Sequence, residues 1–385
     1  MMGTLTFTDK VASFGRLGIV LAVGVAMLLG IRPASGFYHQ GRGGEAIEQV
    51  IARRGMQDEF VCALEPLSER TDLLQVQNAI WHLQTALRHV PQLVQAYLLL
   101  GRAHCLQGDY PAAVEAYLAF TRWRPGYPLA HLEMGFAYEA NGNAGEAVGQ
   151  WQAAGMSAED FIVRGLAAYR QKQWQAALQW HRRASQMGAN LQSNLLYLDY
   201  LRLETSGSSA AQEALEQAIR LDRGWGSDEM RFQGWYRWGR ILVERNDFTA
   251  AIAALQQAIA VYPHQPQLQP TLSEVYRLLG RAEWGQGNLA EALRHHQTAI
   301  ELNPANVWAH IHYGKVLYLQ DPHNLEQTAQ QFALALELQP EKIELWLNLI
   351  DFWLWKKETN QAAQLCQQAM ARWPADAQLG TRCKP

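Results

Sequence analysis

Cysteine is scarce in this chain, four residues in 385 with no Cys-x-x-Cys pair, which removes the commonest zinc and dithiol redox signatures. His-Glu-x-x-His, Gly-x-Ser-x-Gly and calcium-loop patterns are missing too, so no local motif supports metalloprotease, serine-hydrolase or calcium chemistry. His295 and His296 are adjacent rather than four apart; on a helix their rings diverge by about 100° and do not easily share a metal. Charge is low as well. Charged residues make up 18% of the sequence and the net charge is −3, which leaves no bulk basic field to draw nucleic acid. Acidic residues are scattered over solvated helix faces, and no pair can be tied to catalysis. These absences predict a non-catalytic protein with no metal, no cofactor and no nucleic-acid partner.

What is abundant is apolar surface at helical spacing, in repeats. Apolar residues are 49% of the chain and few are β-branched, which suits helices. From Gln95 onward a large residue, Leu-Gly, a second Gly, Ala, a large residue, Ala and Pro recur about every 34 residues. The marks read in Tyr97, Leu100, Gly101, Gly108, Ala113, Tyr117 and Pro125. They return in Trp235, Gly239, Ala251, Ala258 and Pro263, and again in Tyr276, Leu279, Gly280, Gly287, Ala292, Ala299 and Pro304. Each unit has two apolar stripes too short to bury themselves, so neighbours must stack. Small residues stand where two helices cross closely, and turns such as Gln107-Gly108-Asp109 and Asn141-Gly142-Asn143 tolerate a positive φ. The flanks of Asn141-Gly142 have period 3.6 rather than 2, which rejects a β-hairpin. Pro125, Pro263, Pro304, Pro340 and Pro374 stop the second helices.

This pattern resembles the tetratricopeptide repeat family. The resemblance implies an all-α fold, a tetratricopeptide-type α-solenoid of about eight to nine helix–turn–helix repeats. Units are expected at 94–127, 128–157, 158–191, 192–225, 232–265, 273–306, 307–342 and 343–376. A degenerate unit should precede them, with its first helix around Asp58 to Leu67, so the array occupies 58–376 and a C-terminal tail 377–385. In the unit at 192–225, Asp199 replaces the first-helix Gly, and Gly224 to Asp228 reads as an insertion. Trp151, Trp235 and Trp346 fall at positions that demand a large residue and are expected in the core.

The N-terminus is a separate object. Leu17 to Ile31 is an uncharged apolar run, preceded by Lys10 and Arg16 and followed by Arg32. It is short for a spanning helix, which needs about 20 residues, but suits a secretory signal, and Ala34-Ser35-Gly36 offers small residues for cleavage. Residues 1–36 are therefore read as a signal peptide or membrane anchor, and glycine-rich 37–57 as a flexible spacer. Gly41-Arg42-Gly43-Gly44 lacks the Lys-Ser/Thr ending of a phosphate loop. Either reading of 1–36 puts the repeats outside the cytoplasm. If they are exported, an even cysteine count with one pair near each end suggests disulfides Cys62–Cys105 and Cys366–Cys383. Four buried free thiols are the alternative.

The family resemblance also implies where a partner binds, because first helices line the concave side of such arrays. Positions flanking the Leu-Gly pair give Tyr197, Tyr200, Tyr236, Arg237, Arg240, Arg277, Arg281, Trp284, Trp308, His312, Lys315 and Tyr318. Like charges at Arg237 with Arg240 and at Arg277 with Arg281 suggest an anion-reading strip. Glu204, Glu244 and Glu274 could instead neutralise it. The chaperone-tail clamp of some family members has Asn after the Leu-Gly, where this chain has Arg240, Arg281 and Lys315, so its ligand does not transfer. Two functions follow. One is a membrane-tethered or exported scaffold holding a protein partner, an acidic segment, in its groove. The other is an accessory of cell-surface polysaccharide handling that contacts an anionic glycan. An enzyme is disfavoured, because arrays fused to transferases have a further large domain and only Asp376 to Pro385 follow the repeats here.

Overall fold

Apolar residues returning every three or four positions, broken by regular turns, bury themselves by pairing short helices. The computed structural model describes residues 32–53, 60–63 and 65–383, and among these there are nineteen helices and no strand. They are Arg32–Arg53 (α1), Arg70–His89 (α2), Val94–Gln107 (α3), Tyr110–Trp123 (α4), Pro128–Ala140 (α5), Ala144–Ala153 (α6) and Ala158–Arg170 (α7). Next come Trp174–Gln186 (α8), Gln192–Thr205 (α9), Ala211–Leu221 (α10), Asp228–Glu244 (α11), Phe248–Ala260 (α12) and Gln269–Gly285 (α13). Leu289–Leu302 (α14), Val307–Gln320 (α15), Leu325–Leu338 (α16), Ile343–Trp355 (α17), Thr359–Arg372 (α18) and Ala377–Arg382 (α19) complete the set. They divide into two compact units. One ends at Arg164 and takes in Arg183–Ala189; the other comprises Gly165–Arg182 and everything from Asn190 onward.

Within each unit one contact repeats. A first-helix Gly receives a large side chain from the second helix: Gly101 faces Tyr117, Gly135 Trp151, Gly165 His181, Gly239 Leu255, Gly280 His296 and Gly314 Phe332. The helices approach so closely that a Cβ on Gly135 would lie 2.4 Å from the Trp151 ring. Burial of these inserted groups is nearly complete, with Trp151, Tyr117, His181, Leu255 and His296 at 0% exposure. Gly149, on the outer face of α6, has nothing within 4 Å. Gly135→Ala is therefore expected to cost about 1–3 kcal/mol by overpacking, whereas Gly149→Ala gains up to about 1 kcal/mol of helix propensity. Thermal denaturation of the two variants checks the contrast; equal shifts would contradict the packing.

Turns within the pairs adopt positive φ at Gly108, Gly142, Gly207 and Gly287, and also at Lys172, Asn246 and Lys357. The second helices then start on side-chain caps: Asp109 accepts from Ala112 N and Asp247 from Ala250 N, each at 3.3 Å.

The chain ends differ from the sequence expectations. The proposed spacer 37–57 is helical through Arg53. Gly41 is exposed, but Gly43 and Gly44 are buried against neighbouring helices: a Cβ on Gly43 would meet Leu83 Cγ at 2.7 Å, and Gly36, just before the spacer, is buried too, where a Cβ would meet Val90 at 2.8 Å. The expected first helix around Asp58 to Leu67 is also corrected. The described part of that stretch holds only a 3₁₀ turn, Val61–Ala63, and α1 serves as the partner of α2. Buried Glu133 of α5 fastens this segment, accepting from Val61 N at 3.1 Å and Cys62 N at 2.8 Å beside Arg102 at 3.4 Å. The proposed tail 377–385 contains α19, capped by Asp376 and seated by fully buried Leu379. Disulfides join Cys62 to Cys105 and Cys366 to Cys383, the pairs suggested by the sequence, so the free-thiol alternative is set aside. Trp151 and Trp346 are buried as expected, while Trp235 is only half-buried and donates to Asp222 at 3.2 Å. The apolar run of the proposed signal or anchor lies outside the described residues. Among those described, no helix is long and apolar enough to cross a membrane.

Candidate functional site

The proposed strip lies on α9, α11, α13 and α15, all in the second unit. Its N-terminal part neutralises itself. Glu204, at the end of α9, takes Arg237 at 3.0 Å and Arg240 at 3.5 Å, and Glu244 lies 3.9 Å from Arg240. Tyr200 donates to Glu204 at 2.6 Å. Burial, then this bond to the carboxylate, pushes the Tyr200 hydroxyl up to about 12. Burial, then Glu274, pushes the half-buried Tyr236 hydroxyl up against the opposing pull of Arg240, Arg237 and Arg277. Here the compensation expected from Glu204 and Glu244 holds.

The second part, on α13 and α15, is organised around His312. Arg277 is buried and held by Glu274, with Nη2 donating to Oε1 at 2.5 Å and Nε to Oε2 at 2.8 Å. Its Nη1 faces His312 Nδ1 at 3.3 Å. Because guanidinium only donates, Nδ1 accepts and the imidazole proton sits on Nε2. Burial, followed by Arg277, His296, Lys315 and Arg281, holds His312 well below the ordinary histidine value, so the ring is neutral at pH 7. Trp308, 42% exposed, and half-buried Trp284 flank it with ring centroids at 6.0 and 6.3 Å.

Two cations complete this part and neither meets a carboxylate among the described residues. Arg281 is half-buried, and burial together with Arg277 lowers its pKa against the pull of Glu244. Lys315 donates to the neutral amide of Asn348 at 2.6 Å and sits 5.6 Å from the Phe352 ring. Burial brings its ammonium down to about 8, opposed by Asp351. Two unmatched cations, a neutral imidazole and an open indole can hold a carboxylate or phosphate with an apolar group beside it.

Not every sequence-predicted residue belongs to this surface. Tyr197 and Tyr200 are 0% and 1% exposed. The insertion explains Tyr197: Trp225 folds in, its ring 5.8 Å from that of Tyr197. Arg277 is 8% exposed and occupied by Glu274. Tyr318 is 6% exposed and donates to Glu358 at 3.0 Å, with its ring against Phe352 and Trp353. These four support the strip from beneath. Tyr236, Arg237, Arg240, Arg281, Trp284, Trp308, His312 and Lys315 remain partly or fully accessible. The role of Asn348 in satisfying Lys315 was not foreseen; its only signal was its place one repeat after Lys315.

Comparison with known proteins agrees with the repeat reading. A family model described as tetratricopeptide repeat matches residues 72–128, 107–160 and 200–266, and a second, described as TPR repeat, matches 280–321. A stretch of 103 residues, 26% of this chain, is 31% identical to Drosophila melanogaster protein O-mannosyl-transferase Tmtc2, and it spans 10% of that protein's length. Among solved structures, Pseudomonas aeruginosa pilF is 17% identical with a TM-score of 0.40, covering 58% of this chain and 95% of that one. Yeast Tom70 is 15% identical with a TM-score of 0.38, covering 90% and 71%.

Proposed function

Because the chain carries tetratricopeptide repeats, we propose that it is a non-catalytic interaction scaffold whose protein partner presents an acidic segment, flanked by apolar residues, to α11, α13 and α15. One observation carries this reading. Arg281 and Lys315 stand beside a neutral histidine and an exposed tryptophan without a carboxylate of their own among the described residues. Such an arrangement costs folding free energy and is better accounted for by a ligand anion than by stability. The Arg237–Arg240 part, already matched by Glu204, orients rather than anchors. Export or membrane tethering belongs to the same proposal, supported by the apolar run Leu17 to Ile31 and by two disulfides, which persist in oxidising compartments. The Drosophila relative's name speaks of mannosyl transfer, but so short a match brings no such activity here.

Pull-down from detergent-solubilised membranes, with wild type against Arg281→Glu/Lys315→Glu, tests the reading. A partner protein is expected with wild type, weakened at least tenfold by the reversal, since charge-assisted bonds contribute about 1.5–3 kcal/mol each. Binding should also weaken between pH 7 and pH 9, as Lys315, with its pKa near 8, loses its charge. Retention of anionic glycan without protein would turn the conclusion to polysaccharide handling. An unchanged protein affinity would return both cations to solvated surface.

A further inference from the structure

In the first unit the paired helices α1 and α2 are polarised in charge. No Asp or Glu occurs from Lys10 to Gly44, nor from Leu73 to Gly108, so the first half of α1, most of α2 and all of α3 lack carboxylates. Glu45, Glu48 and Asp72 lie toward the other end of the pair, where Arg53 meets Asp72 at 2.5 Å. Gly36, packed on Val90, sets the start of α1 against the end of α2. Cations and rings gather there. His39 and His82 approach to 2.7 Å between their Nδ1 atoms, and the His39 ring lies 5.5 Å from Trp81 and 6.3 Å from His89. Burial, then His82, His89 and Arg88, lowers the His39 pKa, and burial, then Arg42, lowers that of His82. No carboxylate among the described residues offsets either. Arg42 and Arg88 are exposed, and Trp81 and Phe37 are 53% and 56% exposed.

What this end faces follows from where the chain comes from. The apolar run Leu17 to Ile31 stops immediately before α1 begins at Arg32. Ala34-Ser35-Gly36, which reads in sequence as a cleavage site, stands inside α1, with Gly36 buried against Val90 and Leu93. Cutting there would remove a packed helical turn, and packing alone accounts for the small residue at 36. We propose that the run is retained and that the cationic end of α1 and α2 lies on a bilayer surface containing anionic phospholipid, an inference that rests on the membrane-tether reading above. The dimensions agree. A headgroup layer is about 5–8 Å deep on each side of the hydrocarbon core. Phe37 is about 8 Å along α1 from Arg32, and the Gly36–Val90 contact brings Arg88 and His89 to a similar level. The chemistry agrees as well. Indole rings favour this layer, and each arginine near it is drawn to anionic headgroups. Like charges gathered without carboxylates repel one another in water; lipid phosphates relieve that repulsion.

The test reconstitutes the full-length protein with vesicles of phosphatidylcholine containing phosphatidylglycerol. A fluorescent amino acid replaces exposed Gln84, one turn from Trp81, or exposed Leu74, about 15 Å farther along α2. Flotation with the vesicles reports the tether, and quenching by headgroup spin-labelled lipid reports proximity to the surface. Flotation is expected, with quenching at position 84 at least threefold that at 74. Trp81→Ser/Arg42→Glu/Arg88→Glu should abolish the quenching at 84 and leave flotation intact; all three residues are exposed, so circular dichroism should be unchanged. Vesicles of phosphatidylcholine alone should at least halve the quenching at 84. A chain that stays in solution would overturn the tether reading and this inference with it. A floating chain quenched equally at 84 and 74, or quenched at 84 regardless of the three substitutions or of lipid charge, would overturn the surface contact alone.

Discussion

At pH 4 the second unit of a His296→Leu variant is expected to outlast wild type by about 3 kcal/mol more than at pH 7. His296 fills the position over Gly280 that Leu255 fills over Gly239. It is fully buried, and neither ring nitrogen has a hydrogen-bond partner. Burial first, then Arg277 and His295, brings its pKa from 6.5 to about 3. Because the folded value is depressed, both states are neutral above pH 6.5. As pH falls toward 3 the unfolded chain takes the proton and the folded one does not, so stability is lost across that window. The gap is worth about 1.36 kcal/mol per pH unit, roughly 3 kcal/mol by pH 4 and somewhat more by pH 3. Leucine removes the titration, and at neutral pH it also removes two unsatisfied nitrogens. Urea denaturation at pH 7, 5 and 4 measures the widening difference. A constant difference would show that the imidazole is hydrated in the folded state.

The second large effect belongs to the first unit. Cys62→Ala/Cys105→Ala should lower its stability by about 4 kcal/mol, the loop-closure term for 43 residues. Cys366→Ala/Cys383→Ala, closing 17 residues, should cost about 3 kcal/mol in the second unit. The larger loss falls on a segment with little secondary structure of its own, which Glu133, through Val61 N and Cys62 N, then helps hold together with the Phe60–Phe136 ring contact. In that state Glu133→Gln should cost more than it does in the oxidised protein, a non-additivity that identifies a shared clamp. Denaturation with and without reductant measures both losses. A reductant-insensitive midpoint would contradict the structural role of the bonds.

Much of this fold was legible because repetition averages out local error. The recurring large and small marks placed the paired helices. The ends resisted for a physical reason. Gly41, Gly43 and Gly44 look like spacer in sequence, yet Gly43 is small because α1 and α2 cross there, and Gly44 lies against Leu99 of α3. The degenerate first unit lost its Leu-Gly mark together with its expected position. In the strip, helix register showed which side chains share a face but not their depth. Tyr197 and Tyr318 were hidden by Trp225 and by Phe352 and Trp353, contacts set by neighbouring helices. Charge compensation was readable only as a possibility. Glu204 meeting two arginines, while Arg281 and Lys315 meet no carboxylate among the described residues, depends on distances that spacing cannot supply.

Site-specific photo-crosslinking tests the central claim most directly. A benzophenone amino acid replaces Trp308, the exposed indole beside His312, and in a parallel protein it replaces Gln297 on the exposed face of α14. One discrete crosslinked protein is expected from position 308 in intact cells, none from position 297, and loss of the 308 adduct when Arg281 and Lys315 are reversed to Glu. Crosslinking from 297 but not 308, or a 308 adduct indifferent to the two charges, would contradict it.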